Sequence, residues 1–179
     1  MTQLAANADN LRIGLMGVGG VCAAVHYPGL SRIPGVTIQA ICDPNAELVS
    51  SRAAEWGVSS SFTNVGDLLA EGLDAVVIAT PNDQHRPLIE AALDAGCHVL
   101  CEKPLGMSLS ETIAIYEKAE ASGLRHMTAF TYRFVPAMNY LRHLVHTGVL
   151  GEIRHARVQR LQDWGEDAIG WRQYRQQAG

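Results

Sequence analysis

A glycine-rich turn near the start of the chain carries the first residues that could bind a ligand. The apolar run Leu11–Met16 leads into Gly17-Val-Gly-Gly-Val-Cys22, which fits the pattern G-x-G-x-x-G except at its last position. Such a turn bends sharply out of a strand and lets the backbone approach a pyrophosphate, and Cys22 is small enough to replace the third glycine. A glycine-rich turn without a ligand is the alternative. The residues that we expect at the phosphates are Gly17, Gly19, Gly20 and Val21.

An acidic residue follows the second apolar stretch at the distance that dinucleotide binding requires. The run Val36–Cys42 ends in Asp43, about 20 residues beyond the glycines. A carboxylate there can accept hydrogen bonds from the adenine ribose and would repel a 2′-phosphate. Asp43 could also make a turn or cap a helix, because Pro44 follows it, and both roles can hold together. The pattern predicts NAD rather than NADP as cofactor, although Arg52 and the serines before it could fold back toward a phosphate.

Apolar stretches alternate with helical patterns along residues 11–130, which predicts an α/β fold with a doubly wound parallel sheet. The expected strands are 11–16, 36–42, 60–63, 73–79, 97–101 and 125–130. The expected helices are 20–33, 45–56, 65–70, 84–95 and 109–122. The loops between them are short, as in a dinucleotide-binding domain.

The pattern changes at both ends of this unit. Residues 1–10 are polar and alanine-rich and predict a loose tail. Residues 131–179 predict the truncated start of a second, α+β domain. Its first elements are a helix over 136–147, ended by Gly148, and a strand over 151–161. Apolar and polar residues alternate in that strand, as in a strand with one face in water.

Ligands of such sheets bind beyond the carboxyl ends of the strands, which directs attention to two further segments, Thr80–His85 and Glu102–Pro104. An ammonium group at Lys103 would favour a developing alkoxide and could transfer a proton. The alternative is a lysine at a strand end that stays solvated. Asn82 and Asp83 are also common turn and N-cap residues.

Composition excludes several other classes of function. The 179 residues have a net charge of −4, which gives no reason to expect nucleic acid or an anionic membrane as a partner. No apolar run reaches about 18 residues and no secretory signal is visible, so we expect a cytoplasmic protein.

We expect no metal site, because Cys97 and Cys101 would lie ~13 Å apart along one strand. The pair His143 and His146 also lacks a third ligand. We expect all four cysteines to be buried, reduced thiols.

Several motifs together make the chain resemble the glucose–fructose oxidoreductase and inositol dehydrogenase family, the Gfo/Idh/MocA oxidoreductases. The matching segments are Gly17–Cys22, His26–Leu30, Asp43-Pro44, Ala79–His85, Ala95–Leu105, Tyr132–Pro136, Gly148 with Gly151–Ile153, and Trp171-Arg172. The Glu-Lys-Pro segment, at this distance after Thr-Pro, is the most specific of them. The resemblance implies a Rossmann-type NAD(P)-binding domain and hydride transfer between nicotinamide and a secondary alcohol of a sugar or cyclitol. It also implies that the full-length form is a homo-oligomer.

The resemblance assigns roles to individual residues. It places Lys103 beside the nicotinamide and the reacting carbon, as a catalytic group. Residues on the ribose and nicotinamide side of the cofactor would be Thr80, Pro81, Asn82, His85 and Glu102. From the second domain, Arg133, Trp171 and Arg172 would reach back toward cofactor or substrate. The alternatives are a first-turn surface position for His85, core packing for Trp171 and surface charges for both arginines.

One part of the family pattern is not in this sequence. The Trp-Arg segment of the family leads to a glycine run and then to an aspartate and a histidine in an Asp-x-Gly-x-His-like pattern, whereas the present sequence ends at Gly179. We therefore expect that the 179 residues alone lack the catalytic histidine and are inactive. Two alternatives stay open, a non-catalytic nucleotide-binding module or sensor, and a relative that uses NAD to cleave glycosides.

Overall fold

The computed structural model describes residues 10–161 and 174–178. The strands within these ranges are β1 (Leu11–Met16), β2 (Val36–Cys42), β3 (Ser60–Phe62), β4 (Ala75–Ile78), β5 (His98–Cys101) and β6 (His126–Thr128). The α-helices are α1 (Tyr27–Leu30), α2 (Ala46–Trp56), α3 (Val65–Leu69), α4 (His85–Asp94), α5 (Leu109–Ser122), α6 (Pro136–His146) and α7 (Arg175–Ala178). Most of the predicted tail 1–10, and the pair Trp171 and Arg172, lie outside the described residues.

The six strands form one parallel sheet in the order β3-β2-β1-β4-β5-β6. This is the order of a doubly wound dinucleotide-binding fold, which confirms the predicted fold class. Alternate residues of the central strands feed two separate cores, one on each face of the sheet. In β4, for example, Val77 packs with Leu15 on one face, whereas Val76 and Ile78 pack with Leu93 on the other. Helices cover both faces, so the central strands are apolar throughout.

Local sequence signals set the ends of the helices. Asn45 caps α2 by accepting a hydrogen bond from the amide of Leu48, and Gly57 ends that helix in the left-handed conformation. Ser108 caps α5 in the same way, and Gly123 ends it. These bounds agree with the predicted helices to within one residue.

The first helix departs from its predicted range, 20–33. A π-helical turn, Cys22–His26, runs into α1, and the amide of Tyr27 donates to the carbonyl of Cys22, five residues earlier. Pro28 has no amide hydrogen and cannot supply the next bond of a regular helix. The helix ends at Leu30, three residues before the predicted end. Such π-helical turns are frequent at functional sites.

The predicted strand 151–161 is wrong. Residues 151–161 have no strand hydrogen bonding, and the side chains of Val158 and Leu161 are 88% and 91% exposed. The alternating sequence is suited to a sheet, but a strand exists only through hydrogen bonds to a neighbour. No strand within 10–161 or 174–178 lies beside this segment. The preceding helix is α6, as predicted, and Gly148 follows it with a φ of 73°.

The four cysteines are buried and free, as the sequence predicts. Burial raises the pKa of Cys22 to about 12 and that of Cys42 to about 11, and nearby carboxylates contribute to both shifts. In the described ranges, three or more His, Cys, Asp or Glu side chains never come together as a possible metal site. Among the helices of these ranges, none has the length and apolar character needed to cross a bilayer.

Candidate active site

A cleft of about 1060 Å³ lies at the carboxyl ends of the central strands, and we call it the strand-end cleft. Hydrogen bonds hold these strand ends side by side. The amide of Gly17 donates to the carbonyl of Cys42 over 2.8 Å, and the amide of Ala79 donates to that of Met16 over 2.8 Å. The predicted site residues that line the cleft are Gly17, Gly19, Gly20, Val21, Asp43, Thr80, Pro81, Asn82, Glu102 and Lys103. Ten of the predicted site residues therefore lie together in one cleft.

The glycines of the turn serve two different needs. Gly17 has a φ of 83°, and a Cβ atom there would lie 2.7 Å from the carbonyl oxygen of Ala79. The turn after β1 can therefore approach the end of β4 only with glycine at this position. A Cβ atom at Gly19 or Gly20 would meet no protein atom within 4 Å among the described residues. Both glycines border the cleft, and that open space fits the close approach of a pyrophosphate.

Asp43 holds the glycine turn and also borders the cleft. Its Oδ2 accepts a hydrogen bond from the amide of Val18 over 3.1 Å, and its Oδ1 accepts one from the amide of Asn45 over 3.0 Å. The turn role that the sequence left open is thus present, whereas the helix cap is Asn45. The carboxylate remains at the cleft, where a ribose could reach it.

The segment after β4 brings polar atoms to the cleft. Pro81 and Asn82 border it, and the side chain of Asn82 is buried. Within the described ranges, Thr80 Oγ1 and Asp83 Oδ1 are buried without a hydrogen-bond partner. Buried polar atoms usually have such partners, so these two fit a ligand that carries hydroxyl groups. Thr80 and Asp83 both border the cleft.

His85 lies below the cleft and does not line it, unlike the position that the resemblance implies. Its side chain is fully buried, which also excludes the surface alternative. Its Nδ1 is 2.7 Å from the carbonyl oxygen of Pro104, and its Nε2 is 3.1 Å from that of Thr80. The imidazole therefore joins the segment after β4 to the segment after β5. It supports two walls of the cleft from beneath.

Glu102 is held by two hydrogen bonds. His26 Nε2 lies 3.0 Å from Glu102 Oε1, and the main-chain amide of Lys103 donates to Oε2 over 3.2 Å. Burial acts to raise the pKa of Glu102, but these hydrogen bonds and the charges of His26 and Lys103 outweigh it and lower that pKa. Glu102 is thus held as a carboxylate at the edge of the cleft.

Lys103 lies where the strand-end cleft meets a second cavity of about 1070 Å³, which we call the outer hollow. The other residues of the outer hollow are Ala129, Phe130, Thr131, Tyr132, Arg133, Phe134, Met138, Asn139, Arg142 and Arg160. Arg133 thus lies in the outer hollow rather than in the strand-end cleft. Arg160 stacks over the ring of Tyr132, with its guanidinium carbon 4.4 Å from the ring centroid. Lys103 therefore belongs to the lining of both cavities.

Among the residues of the strand-end cleft that the sequence did not predict as site residues are Thr131 and Gln177. Thr131 follows β6 closely, so the rule that ligands bind at strand ends could have found it. Gln177 lies in α7, which packs against the turn Asn82–Gln84. No motif in the sequence signals that contact. His26 was noted as part of a motif, without its bond to Glu102.

The comparison with protein families agrees with this geometry. Residues 11–130 match the Gfo/Idh/MocA model, which is described as an oxidoreductase family with an NAD-binding Rossmann fold. The chain belongs to this family. Levoglucosan dehydrogenase of Pseudarthrobacter phenanthrenivorans is a Gfo/Idh/MocA relative with 32% identity, and the match covers 96% of the present chain and 47% of the relative.

Solved structures of the Gfo/Idh/MocA fold give the same result. The crystal structure of an oxidoreductase domain protein from Kribbella flavida has a TM-score of 0.87 and 36% identity, and the match covers 95% of this chain and 48% of the other. The scyllo-inositol dehydrogenase of Lactobacillus casei, solved with NAD(H) and scyllo-inositol, has a TM-score of 0.75 and 27% identity, with coverages of 80% and 43%. The chain thus spans about half the length of the relatives that it matches.

Proposed function

We propose that this chain supplies the cofactor site and the catalytic lysine of an NAD-dependent dehydrogenase that acts on a secondary alcohol of a sugar or cyclitol. The position of Lys103 carries this proposal, because this residue borders both the strand-end cleft and the outer hollow. A hydride donor in one cavity and an alcohol or ketone in the other would meet beside this amine. The family and its dehydrogenase relatives support the same reaction class.

The strand-end cleft has the features that a dinucleotide needs. Its glycine turn has open space at Gly19 and Gly20 for the pyrophosphate, and Asp43 lies at the end of β2 for the adenine ribose. Thr80 Oγ1 and Asp83 Oδ1, which have no hydrogen-bond partner in the part of the chain that the structure describes, suit the hydroxyls and amide of the nicotinamide half. Nicotinamide, when bound, supplies hydride transfer, and the chain binds and orients it.

Lys103 would act on the oxygen of the substrate. An ammonium group near the carbinol oxygen stabilises the negative charge that develops there as the hydride leaves or arrives. The same amine can pass a proton to or from that oxygen, provided that a further group takes it up. The outer hollow offers Arg133, Asn139 and the Tyr132 ring, which could bind the hydroxyls and the apolar face of a sugar.

We infer NAD rather than NADP from the charges at the end of β2. Asp43 would repel a 2′-phosphate, and Arg52 is engaged elsewhere. Arg52 pairs with Glu55 over 2.5 Å, and its guanidinium carbon lies 5.5 Å from the centroid of the Trp56 ring. Glu55 therefore competes with a 2′-phosphate for this guanidinium, whose Nε has no hydrogen-bond partner among the described residues.

Calorimetric titration of the chain with NADH tests the proposed function. We expect saturable binding with one NADH per chain, and weaker binding of NADPH. Gly20→Ala should weaken NADH binding, because its methyl group would enter the open space at the pyrophosphate. Ser122→Ala, at the end of α5 and outside the cleft, is the matched control. An absence of saturable NADH binding in the folded chain would contradict the proposal.

A further inference from the structure

A chain of two hydrogen bonds connects the glycine-turn region to Lys103. His26 ends the π-helical turn that follows the glycines, and its Nε2 lies 3.0 Å from Glu102 Oε1. The other carboxylate oxygen, Oε2, accepts the main-chain amide of Lys103 over 3.2 Å. One carboxylate therefore joins two segments that are 76 residues apart in sequence. Neither the family resemblance nor the spacing of motifs assigns a role to this link.

His26 and Glu102 are both largely buried, which strengthens the hydrogen bond between them. The side chains of His26 and Glu102 are 7% and 13% exposed. A buried carboxylate that loses a hydrogen-bond donor keeps its desolvation penalty, so it turns toward water or other donors. Glu102 is part of the wall of the cleft, so its carboxylate can find water there. Loss of His26 would therefore move Glu102 and loosen the backbone at Lys103.

We propose that His26 is a positioning residue for Lys103 and acts through the Glu102 carboxylate. The helical segment that follows the glycine turn and the strand end that carries the lysine are thereby held at a fixed distance. His85 also contacts this stretch, through the carbonyl of Pro104. The importance of this link for catalysis rests on the proposed function, because it assumes that Lys103 acts beside the nicotinamide. The link itself can be tested without cofactor.

The chain contains only two lysines, Lys103 and Lys118, so labelling with ¹⁵N-lysine gives two backbone amide signals. Lys118 lies in α5 and pairs with Asp94, and it serves as an internal reference. In His26→Leu we expect hydrogen exchange of the Lys103 amide to accelerate about tenfold relative to Lys118, as loss of a charge-assisted hydrogen bond allows. In His26→Gln the side-chain amide can still donate to Glu102, and the Lys103 rate should stay near that of the wild type.

A second readout separates positioning from simple loosening of the fold. The Lys103 amide donates to Glu102, so its chemical shift follows the protonation of that carboxylate on acidification. Among the described residues, His26 and Lys103 are the charged partners that lower the Glu102 pKa. Removal of His26 should therefore raise the midpoint of this titration in His26→Leu, whereas His26→Gln should give a smaller rise.

The outcomes are distinct. Equal Lys103 exchange and an equal midpoint in wild type and His26→Leu would overturn the proposal. If His26→Leu does not fold, His26→Asn tests the same link, because it keeps a polar side chain at this position that is too short to reach Glu102. There the Lys103 amide should again exchange faster than in the wild type, and an unchanged rate would contradict the link. Neither readout uses NADH, so failure here leaves the NADH titration to decide the proposed function separately.

Discussion

The main-chain amide of Val18, inside the glycine turn, donates a hydrogen bond of 3.1 Å to Oδ2 of Asp43 at the end of β2. The acid expected to bind ribose thus also fixes the turn expected to bind phosphate. Its other oxygen accepts from the amide of Asn45. Each oxygen has two lone pairs, so both can still accept a ribose hydroxyl.

Asp43→Asn should reduce the preference of the chain for NADH over NADPH. The asparagine keeps the size of the side chain and one acceptor oxygen, but it removes the charge that repels a 2′-phosphate. The affinities of both cofactors, measured by calorimetry, give the ratio. Asp94→Asn, at an exposed acid on α4, is the control and should leave the ratio unchanged. Tighter binding of NADPH than NADH by the wild type would refute the assignment of NAD.

Gly17→Ala should lower the stability of the fold, whereas Gly20→Ala should lower the affinity for NADH. A methyl group at Gly17 would clash with the Ala79 carbonyl at a φ of 83°, so we expect the free energy of unfolding to fall by about 1–3 kcal/mol or more. Gly20→Ala should leave that free energy within about 1 kcal/mol of wild type, because no atom of the described residues lies within 4 Å of the added methyl group. The same variant should bind NADH more weakly. Denaturant unfolding and calorimetry measure the two quantities. Equal stability of the two variants would contradict this division of roles.

Because the thiols are buried, we expect them to react slowly and the fold to lose stability at alkaline pH. At pH 8 the native chain should react with a thiol reagent only as it unfolds, because burial raises the pKa values of Cys22 and Cys42. An unfolded thiol ionises near its ordinary value of 9.0, so the unfolded state releases protons first as pH rises. The free energy of unfolding should be unaffected by these groups below that value and fall as pH rises from about 9 toward 12. Rapid modification of native Cys22 would contradict the structure.

Lys103→Ala should suppress turnover in an active protein that contains this chain. We expect kcat to fall by about two to four orders of magnitude, the usual contribution of a general acid–base group. NADH affinity should change much less, since Lys103 is one of many residues that line the cleft. Lys118→Ala provides the matched control, since Lys118 lies in α5, pairs with Asp94 and lines neither cavity. Near-normal turnover of Lys103→Ala would refute its catalytic assignment.

The sequence predicted the sheet and the cleft well because their signals are local. Glycines, apolar runs and capping residues set each turn and helix end. The parallel arrangement of the strands then brings their carboxyl ends to one edge of the sheet. Asp43, Thr80 and Lys103 were found by that rule. The segment 151–161 shows its limit, because its alternation describes a suitable strand face but cannot supply the neighbour that makes it a strand.

The histidines show a second limit. His85 occupies the first turn of α4, where sequence alone allows either a surface or a buried side chain. Its burial depends on two carbonyl groups from different loops. His26 and Glu102 meet only because the sheet places β5 beside β4 and β4 beside β1. Such contacts are set by the whole topology, and no spacing in the chain encodes them.

Acetylation of the two lysines gives the most direct test of the central claim, that Lys103 lies beside a bound nicotinamide dinucleotide. Brief treatment with acetic anhydride, followed by mass spectrometry, measures the modification of Lys103 relative to Lys118 in the same chain. We predict that saturating NADH protects Lys103 and leaves Lys118 unchanged, because only Lys103 borders the cleft. Saturable binding of NADH with equal acetylation of Lys103 in its presence and absence would contradict the account.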